Sequence, residues 1–217
     1  MAETGGNELG TPSYWDKHYS DSDGATPAHE WLKSFSELET FLERTLFTAP
    51  GLAPSDSPSV LHLGSGDSQI PLELASRGYT RQLCVDFSPA VVKMMTDRHA
   101  SVPGIEWRLM DVRDMNSIPD ASVDVAFDKS TLDVMIHGSP WNPPQDVKDN
   151  TSGYLREVHR VLKDNGRFLC LTFRQPHFVK PLLNPEGLWD LDMQVLGDAG
   201  AFEYYGYLIR KAPRACR

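Results

Sequence analysis

The sequence predicts an α/β fold: a seven-stranded, mostly parallel sheet flanked by helices, with an antiparallel hairpin at one edge. Short apolar runs alternate with amphipathic helical stretches from residue 59 to residue 173, a pattern typical of a parallel sheet covered on both faces. Two more apolar runs, near the C-terminus, follow each other without a helix between them, which indicates a hairpin. At 217 residues the chain is long enough for one well-cored domain and short for two.

The composition is that of a globular protein, with 40% hydrophobic and 24% charged residues. No apolar run approaches the ~20 residues of a membrane helix, and the N-terminus lacks the features of a signal peptide, so we expect the cytoplasm, secondarily the nucleus, and no membrane partner. The formal charge of −9 disfavours direct binding to nucleic acid and suits a basic partner better. The cysteines and histidines show no metal-ligand spacing, so we expect no metal.

The domain prediction divides the chain into a flexible N-terminus over 1–12 and a single domain over 13–217. Within that domain we expect an N-terminal lid and helix over 13–47, a core over 58–175 and C-terminal strands over 176–212. The helix is predicted from apolar residues spaced three or four apart. These residues are Trp31, Phe35, Leu38, Phe41, Leu42 and Leu46.

Within the core, turn and cap residues separate the predicted elements. Gly78 and Gly166 are expected to end two helices, and Ser88, followed by proline, to begin another. A loop over 138–150 precedes the last of these helices. The strands are predicted over 59–64, 81–87, 105–112, 123–129 and 167–173, and the helices over 68–78, 88–100 and 151–166.

A glycine turn, Gly64-Ser65-Gly66, follows the first strand, and Asp86 ends the second strand about 20 residues later. Glycines allow a tight turn and a close approach of backbone to a ligand, while a strand-end carboxylate can accept hydrogen bonds from both hydroxyls of a ribose. This pattern alone fits NAD, FAD or S-adenosylmethionine. A purely structural glycine turn is about as common.

Three details favour S-adenosylmethionine. Gln69 stands where a dinucleotide fingerprint has its third glycine. Asp111 ends the third strand, where it could bind the adenine amine, and Val112 offers a backbone N–H to the ring. Asp128 and Lys129 end the fourth strand, beside the expected position of the methionine moiety. The alternative is that Asp86 and Asp111 only cap the segments that follow them.

Several segments together resemble the class I, seven-strand S-adenosylmethionine-dependent methyltransferases, which have a Rossmann-like fold. They are VLHLGSGDS, VDFSPAVVKMM, WRLMDVRDM, VDVAFDKSTLDVM and EVHRVLKDNGRFLCLTF. Over roughly residues 13–212 the chain is most similar to the eukaryotic elongation factor 1-alpha lysine methyltransferase 4 type. The shared features are the opening Tyr14-Trp15-Asp16 with Tyr19, then Glu30-Trp31, and the run from Asp128 to Asp133.

The resemblance implies S-adenosylmethionine as cofactor, with S-adenosylhomocysteine as product, and a protein substrate with an exposed lysine, elongation factor 1-alpha. The chain departs from the family pattern at Ser65, where cysteine is usual, and at Asp128, where glutamate is common. The loop over 137–150 also has its own length and sequence. The glycine turn adds Ser65 and Gly66 to the candidate cofactor contacts, and the strand-end pattern adds Asp128. The contacts implied by the resemblance itself come from Trp15, Tyr19, Trp31, Gly64, Asp86, Phe87, Asp111, Val112 and Lys129.

Tyr14, Trp15 and Tyr19 are interpreted as a lid that closes over the cofactor, or as an ordinary lid packed on the sheet; the two readings are compatible. Asp128 and Asp133 are the candidate catalytic residues, either of which could guide or relay the proton of a lysine amine. Asp133 could instead stabilise a helix N-terminus. Two other functions stay open: a methyltransferase acting on a small molecule, and a non-catalytic protein that keeps the fold.

Overall fold

The computed structural model describes residue 9 and residues 11–20, 30–197 and 202–213. Within these ranges seven strands form one sheet, in the order β3-β2-β1-β4-β5-β7-β6. β7 runs antiparallel to both β5 and β6, and the other neighbouring strands pair in parallel, so the predicted fold class is confirmed. The strands are β1 (Val60–Leu63), β2 (Gln82–Asp86), β3 (Ile105–Leu109), β4 (Val123–Lys129), β5 (Leu162–Thr172), β6 (Trp189–Leu196) and β7 (Tyr204–Lys211).

Helices pack on both faces of the sheet because adjacent strand residues point to opposite sides. Val60 belongs to an apolar cluster with residues of α2 and α3, whereas Leu61 belongs to one with residues of α6 and α7. No helix in the described ranges combines the length and apolar character needed to span a membrane. The helices are α1 (Pro12–Ser20), α2 (Phe35–Leu42, continued by a π-helical turn, Glu43–Phe47), α3 (Ile70–Ser76), α4 (Pro89–Arg98), α5 (Thr131–Met135), α6 (Gln145–Val161) and α7 (Pro176–Leu183).

Two of the predicted helix boundaries are confirmed. After α3, Gly78 has φ +95°, and its N–H donates to the Ala75 carbonyl at 2.9 Å while that of Tyr79 donates to the Leu74 carbonyl at 3.1 Å. This pair of bonds closes the helix in the way that favours glycine. At the start of α4 the Ser88 hydroxyl accepts a hydrogen bond from the Val91 N–H at 3.4 Å.

The helix predicted within 13–47 is divided in the structure. α1 already begins at Pro12, and most of the predicted flexible segment before it lies outside the described residues. Residues 30–34 are not helical, and Leu32 has φ +63°. Trp31 therefore does not share a helix face with the apolar residues of α2. It lies in the non-helical segment before α2, which turns at Leu32, and lines the cleft described below.

The prediction was also wrong at both ends of α6. The helix begins at Gln145, inside the expected loop, because the fully buried Val147 continues the apolar stripe that includes Tyr154 and Val158. It ends at Val161 instead of Gly166, because Leu162 is buried and pairs with Val123 in the sheet. The register of β5 then shifts, so that the polar residues 163–166 form an irregularity within the strand.

Candidate active site

A cleft of about 580 Å³ lies at the carboxyl ends of the central strands, within the usual size range of cofactor sites. This is the edge of an open α/β sheet at which ligands bind. Tyr14, one of the three predicted lid residues, is 38% exposed and does not line the cleft. Of the predicted cofactor-binding and catalytic residues, all but Asp128 line it. They are Trp15, Tyr19, Trp31, Gly64, Ser65, Gly66, Asp86, Phe87, Asp111, Val112, Lys129 and Asp133.

The glycine turn closes tightly out of β1. Gly64 has φ +57° and Gly66 has φ +52°, a backbone region that residues other than glycine rarely adopt. A Cβ on Gly64 would lie 2.4 Å from the hydroxyl of Thr131, and one on Gly66 would lie 2.6 Å from the hydroxyl of Tyr19. The turn therefore requires both glycines, for backbone conformation and for space.

Asp86 ends β2 beside this turn and is only 6% exposed. Its Oδ2 accepts the Gly66 N–H at 2.9 Å, and its Oδ1 accepts the Ser88 N–H at 3.0 Å. Burial raises the pKa of Asp86 to about 6, against the effect of these hydrogen bonds. A carboxylate has about four acceptor positions, so Asp86 keeps capacity to accept a hydroxyl donor from the cleft.

Asp111 lies on the same side of the cleft and forms an ion pair with Arg113, at 2.6 Å between Oδ2 and a terminal guanidinium nitrogen. The Arg113 side chain also donates to the amide oxygen of Asn150 on α6, at 2.8 Å. Arg113 lowers the pKa of Asp111, although burial opposes it, so the carboxylate stays ionised. Sequence reasoning missed Arg113, which follows the strand-end acid by two residues.

Lys129 pairs with a carboxylate that sequence reasoning had noted only as part of a family motif. Its Nζ lies 2.5 Å from Oε1 of Glu30 and donates to the Trp31 carbonyl at 2.8 Å. Glu30 in turn accepts hydrogen bonds from the Ser68 hydroxyl at 2.7 Å and the Gln69 N–H at 2.9 Å. This network attaches the segment before α2 to the glycine turn and to β4.

α1 covers one side of the cleft. Tyr19 is buried against Val91 and Met95 of α4, and Trp15 stacks on Tyr19 at 5.9 Å between ring centroids. Asp16 anchors the helix, since its Oδ1 accepts the Ser88 hydroxyl at 2.5 Å. Trp15 and Tyr19 thus both pack on the fold and line the cleft, as the two compatible readings of the lid expected.

Asp128 does not reach the cleft, which corrects the prediction that it contacts the cofactor and takes part in catalysis. The side chain is fully buried, and its oxygens accept the Thr131 N–H at 2.8 Å, the Leu132 N–H at 3.1 Å and the Tyr154 hydroxyl at 2.7 Å. Asp128 therefore caps α5 from the core side. Burial raises its pKa to about 7.

Asp133 has the opposite environment. It lines the cleft, is 4% exposed, and does not cap α5, whose first N–H groups are taken by Asp128. Its Oδ1 accepts the Thr172 hydroxyl and lies 3.3 Å from Nε of Arg174. No residue in the described ranges makes a hydrogen bond to its Oδ2, which is buried. Burial raises the pKa of Asp133 to about 6.

Aromatic side chains form much of the cleft wall outside the lid. Trp31 and Phe173 are each 40% exposed and Phe202 is 66% exposed, and all three line the cleft together with Tyr204. Such faces attract cations. Phe173 and Arg174 follow β5 directly. They could have been predicted as cleft residues because side chains just beyond the carboxyl end of a central strand lie at the same edge of the sheet.

The residues present fit S-adenosylmethionine. The tight turn at Gly64 and Gly66 brings backbone to the cleft without side chains, and Asp86 keeps acceptor capacity for ribose hydroxyls. The ionised Asp111 can accept from an adenine amine, and aromatic rings are available to a sulfonium. The individual contacts assigned to these residues stay predictions.

Comparison of the sequence and the structure with known proteins identifies the class to which this fold and this cleft belong. A family model described as "Methyltransferase domain" matches residues 61–170, about half of the chain. A structure of an S-adenosylmethionine-dependent methyltransferase from Aquifex aeolicus aligns with a TM-score of 0.57 over 92% of this chain and 98% of that one, and at 15% identity it shows a shared fold. The chain is an S-adenosylmethionine-dependent methyltransferase with a Rossmann-like fold.

Two curated relatives narrow the family. The chain is 34% identical to mouse "EEF1A lysine methyltransferase 4" over 91% of its own length and 74% of that protein. It is 32% identical to bovine "eEF1A lysine and N-terminal methyltransferase" over 80% of its length, which covers 23% of that larger protein. The chain belongs to the EEF1A lysine methyltransferase family.

Proposed function

We propose that this chain methylates a lysine side chain of translation elongation factor 1-alpha. The observation that carries the proposal is Asp133, which lines a cleft walled by aromatic rings and whose buried Oδ2 has no hydrogen-bond partner in the described part of the chain. An anion among aromatic faces suits a cationic or amine substrate. The names of the relatives supply the protein target, and the net charge of −9 suits a lysine-bearing partner.

When bound, S-adenosylmethionine supplies the methyl group, and S-adenosylhomocysteine leaves. Asp86 and Asp111 would hold the ribose and the adenine, and α1 would exclude water from the cofactor. Alignment of nucleophile and methyl group can contribute about 7–11 kcal/mol to lowering the barrier. For this protein the alignment depends on how the cleft fixes the incoming amine.

The amine must lose a proton before its lone pair can form the new N–C bond. Asp133 is the group that would receive a hydrogen bond from the ammonium and take up the proton. Burial raises the pKa of Asp133 to about 6 and lowers that of a buried amine, so the two values approach each other and the transfer becomes less costly. Methyl transfer from the sulfonium returns a positive charge to the nitrogen, and the aromatic walls can bind this methylated cation.

The test is an incubation of the purified chain with radiolabelled S-adenosylmethionine and recombinant elongation factor 1-alpha, followed by mass spectrometry of the labelled protein. We expect label on one or more lysines, and replacement of the labelled lysine by arginine should remove it. A cell lysate should be tested in parallel. Label confined to small extractable molecules would indicate a metabolite methyltransferase, and no label would indicate a non-catalytic role. Location in the cytoplasm stays a prediction.

A further inference from the structure

Arg174 and Thr172 lie beside one oxygen of Asp133, and the other oxygen is buried without a hydrogen-bond partner in the described ranges. The Thr172 hydroxyl donates to Oδ1 of Asp133, and the same hydroxyl accepts the backbone N–H of Arg174 at 3.0 Å. Nε of Arg174 lies 3.3 Å from Oδ1. Oδ1 is therefore held by the Thr172 hydroxyl and lies beside the positive charge of Arg174, although Nε of Arg174 makes no hydrogen bond. Oδ2 has no hydrogen-bond partner in the described part of the chain.

Arg174 also holds the helix that carries Asp133. A terminal guanidinium nitrogen of Arg174 donates to the carbonyls of Asp133, at 3.0 Å, and Ile136, at 2.5 Å. These carbonyls lie at the C-terminal end of α5, where a cation is favourable; the Asp133 carbonyl also accepts the Ile136 N–H, at 3.3 Å. One side chain thus fixes both the carboxylate and the backbone that carries it.

We propose that Arg174, together with Thr172, is a positioning residue that presents Oδ2 of Asp133 to the substrate amine and keeps this carboxylate ionised. The proposal rests on the proposed function for the identity of the amine, but the ionisation of Asp133 does not depend on a substrate. It assigns a role to the last residue of β5 and to Arg174 beyond it, in addition to the strand-end acids of β2, β3 and β4.

The charges around Asp133 give the expected direction of its titration. Asp128 at the end of β4 and Cys170 on β5 interact electrostatically with Asp133, and Tyr154 on α6 contacts Asp128. Arg174 supplies the positive charge, and Phe173 and Ser130 lie near enough to stabilise the anion further. Removal of the guanidinium should therefore raise the pKa of Asp133, since an adjacent cation favours the ionised carboxylate.

The first measurement needs no substrate. The carboxyl carbon of Asp133 is titrated by NMR in the wild-type chain and in Arg174→Met, with its signal assigned by its loss in Asp133→Asn. We expect the midpoint to rise by about one pH unit or more in Arg174→Met. Arg174→Lys, which keeps a cation, should return it toward the wild-type value. Arg156→Met is the matched control, because Arg156 also pairs with a carboxylate, Glu186, but at an exposed site.

The second measurement is the pH profile of kcat/KM on elongation factor 1-alpha. If Oδ2 must be ionised, activity falls as the pH drops through the pKa of Asp133, and Arg174→Met moves this acidic limb upward by the shift seen in the titration. Thr172→Val should move it in the same direction and Thr172→Ser should restore it. These two variants also serve if Arg174→Met does not fold.

The outcomes separate the two proposals. No methylation of the elongation factor by the wild-type chain, with the titration midpoint still shifted in Arg174→Met, refutes the substrate and supports the positioning role. An unshifted midpoint, or an equal loss of activity at every pH, overturns the positioning role and leaves Arg174 as a support of α5.

Discussion

The carboxylate of Asp86 accepts a hydrogen bond from the backbone N–H of Gly66 at 2.9 Å. This bond joins the end of β2 to the turn that follows β1, so the acid and the glycine turn form one unit before any ligand binds. Four predictions test how this unit and its surroundings bind the cofactor and stabilise the fold.

Asp86→Ala should abolish binding of S-adenosylmethionine in calorimetry. The substitution removes the acceptor expected for the ribose hydroxyls, and it also leaves the N–H groups of Gly66 and Ser88 without their acceptor. Asp164→Ala is the matched control, since the Asp164 side chain is 81% exposed and its pairing with Lys211 is long, at 3.4 Å. Wild-type affinity in Asp86→Ala would exclude the ribose assignment.

Gly66→Ala should weaken cofactor binding by about tenfold or more, because a positive φ is costly for alanine and the new Cβ meets Tyr19. The contact would be at 2.6 Å from the Tyr19 hydroxyl, so the lid must also move. Adding Tyr19→Phe removes that oxygen and should recover part of the loss. If affinity measured by calorimetry is equal in the single and double variants, the lid contact contributes nothing.

The Glu30–Lys129 pair should show strong energetic coupling, because its side chains are only 17% and 6% exposed. In a double-mutant cycle of Glu30→Gln and Lys129→Met, urea denaturation should give a coupling energy of about 1–3 kcal/mol. The exposed pair Lys93–Asp97, with side chains 78% and 65% exposed, is the control and should give about 0.3–0.5 kcal/mol. Equal coupling in both pairs would mean that Glu30 does not anchor the segment before α2.

Tyr154→Phe tests the placement of Asp128 in the core. The substitution removes the hydroxyl that donates to Asp128 at 2.7 Å and should lower the free energy of unfolding by about 1–3 kcal/mol. Affinity for S-adenosylmethionine should stay at the wild-type value, because neither residue lines the cleft. A large loss of affinity without a loss of stability would mean that Asp128 belongs to the cofactor site after all.

The sequence by itself determined the class of fold and predicted several residues that line the cleft. The glycine turn and the strand-end acids were predictable because backbone conformation and strand direction are local properties, and parallel strands bring their carboxyl ends to one edge. Gly64, Asp86 and Asp111 therefore line the cleft as expected. The resemblance to a known family supplied the lid residues, which no periodicity had marked.

Only the tertiary structure decided which of two nearby acids lines the cleft. Asp128 and Asp133 are five positions apart, and neither propensity nor spacing tells which one points into the core. Packing of β4 against α6 brings Tyr154 onto Asp128, whereas the end of β5 brings Thr172 and Arg174 onto Asp133. The pairing of Glu30 with Lys129, and the true limits of α6 and β5, likewise depend on contacts between segments distant in sequence, which local patterns do not encode.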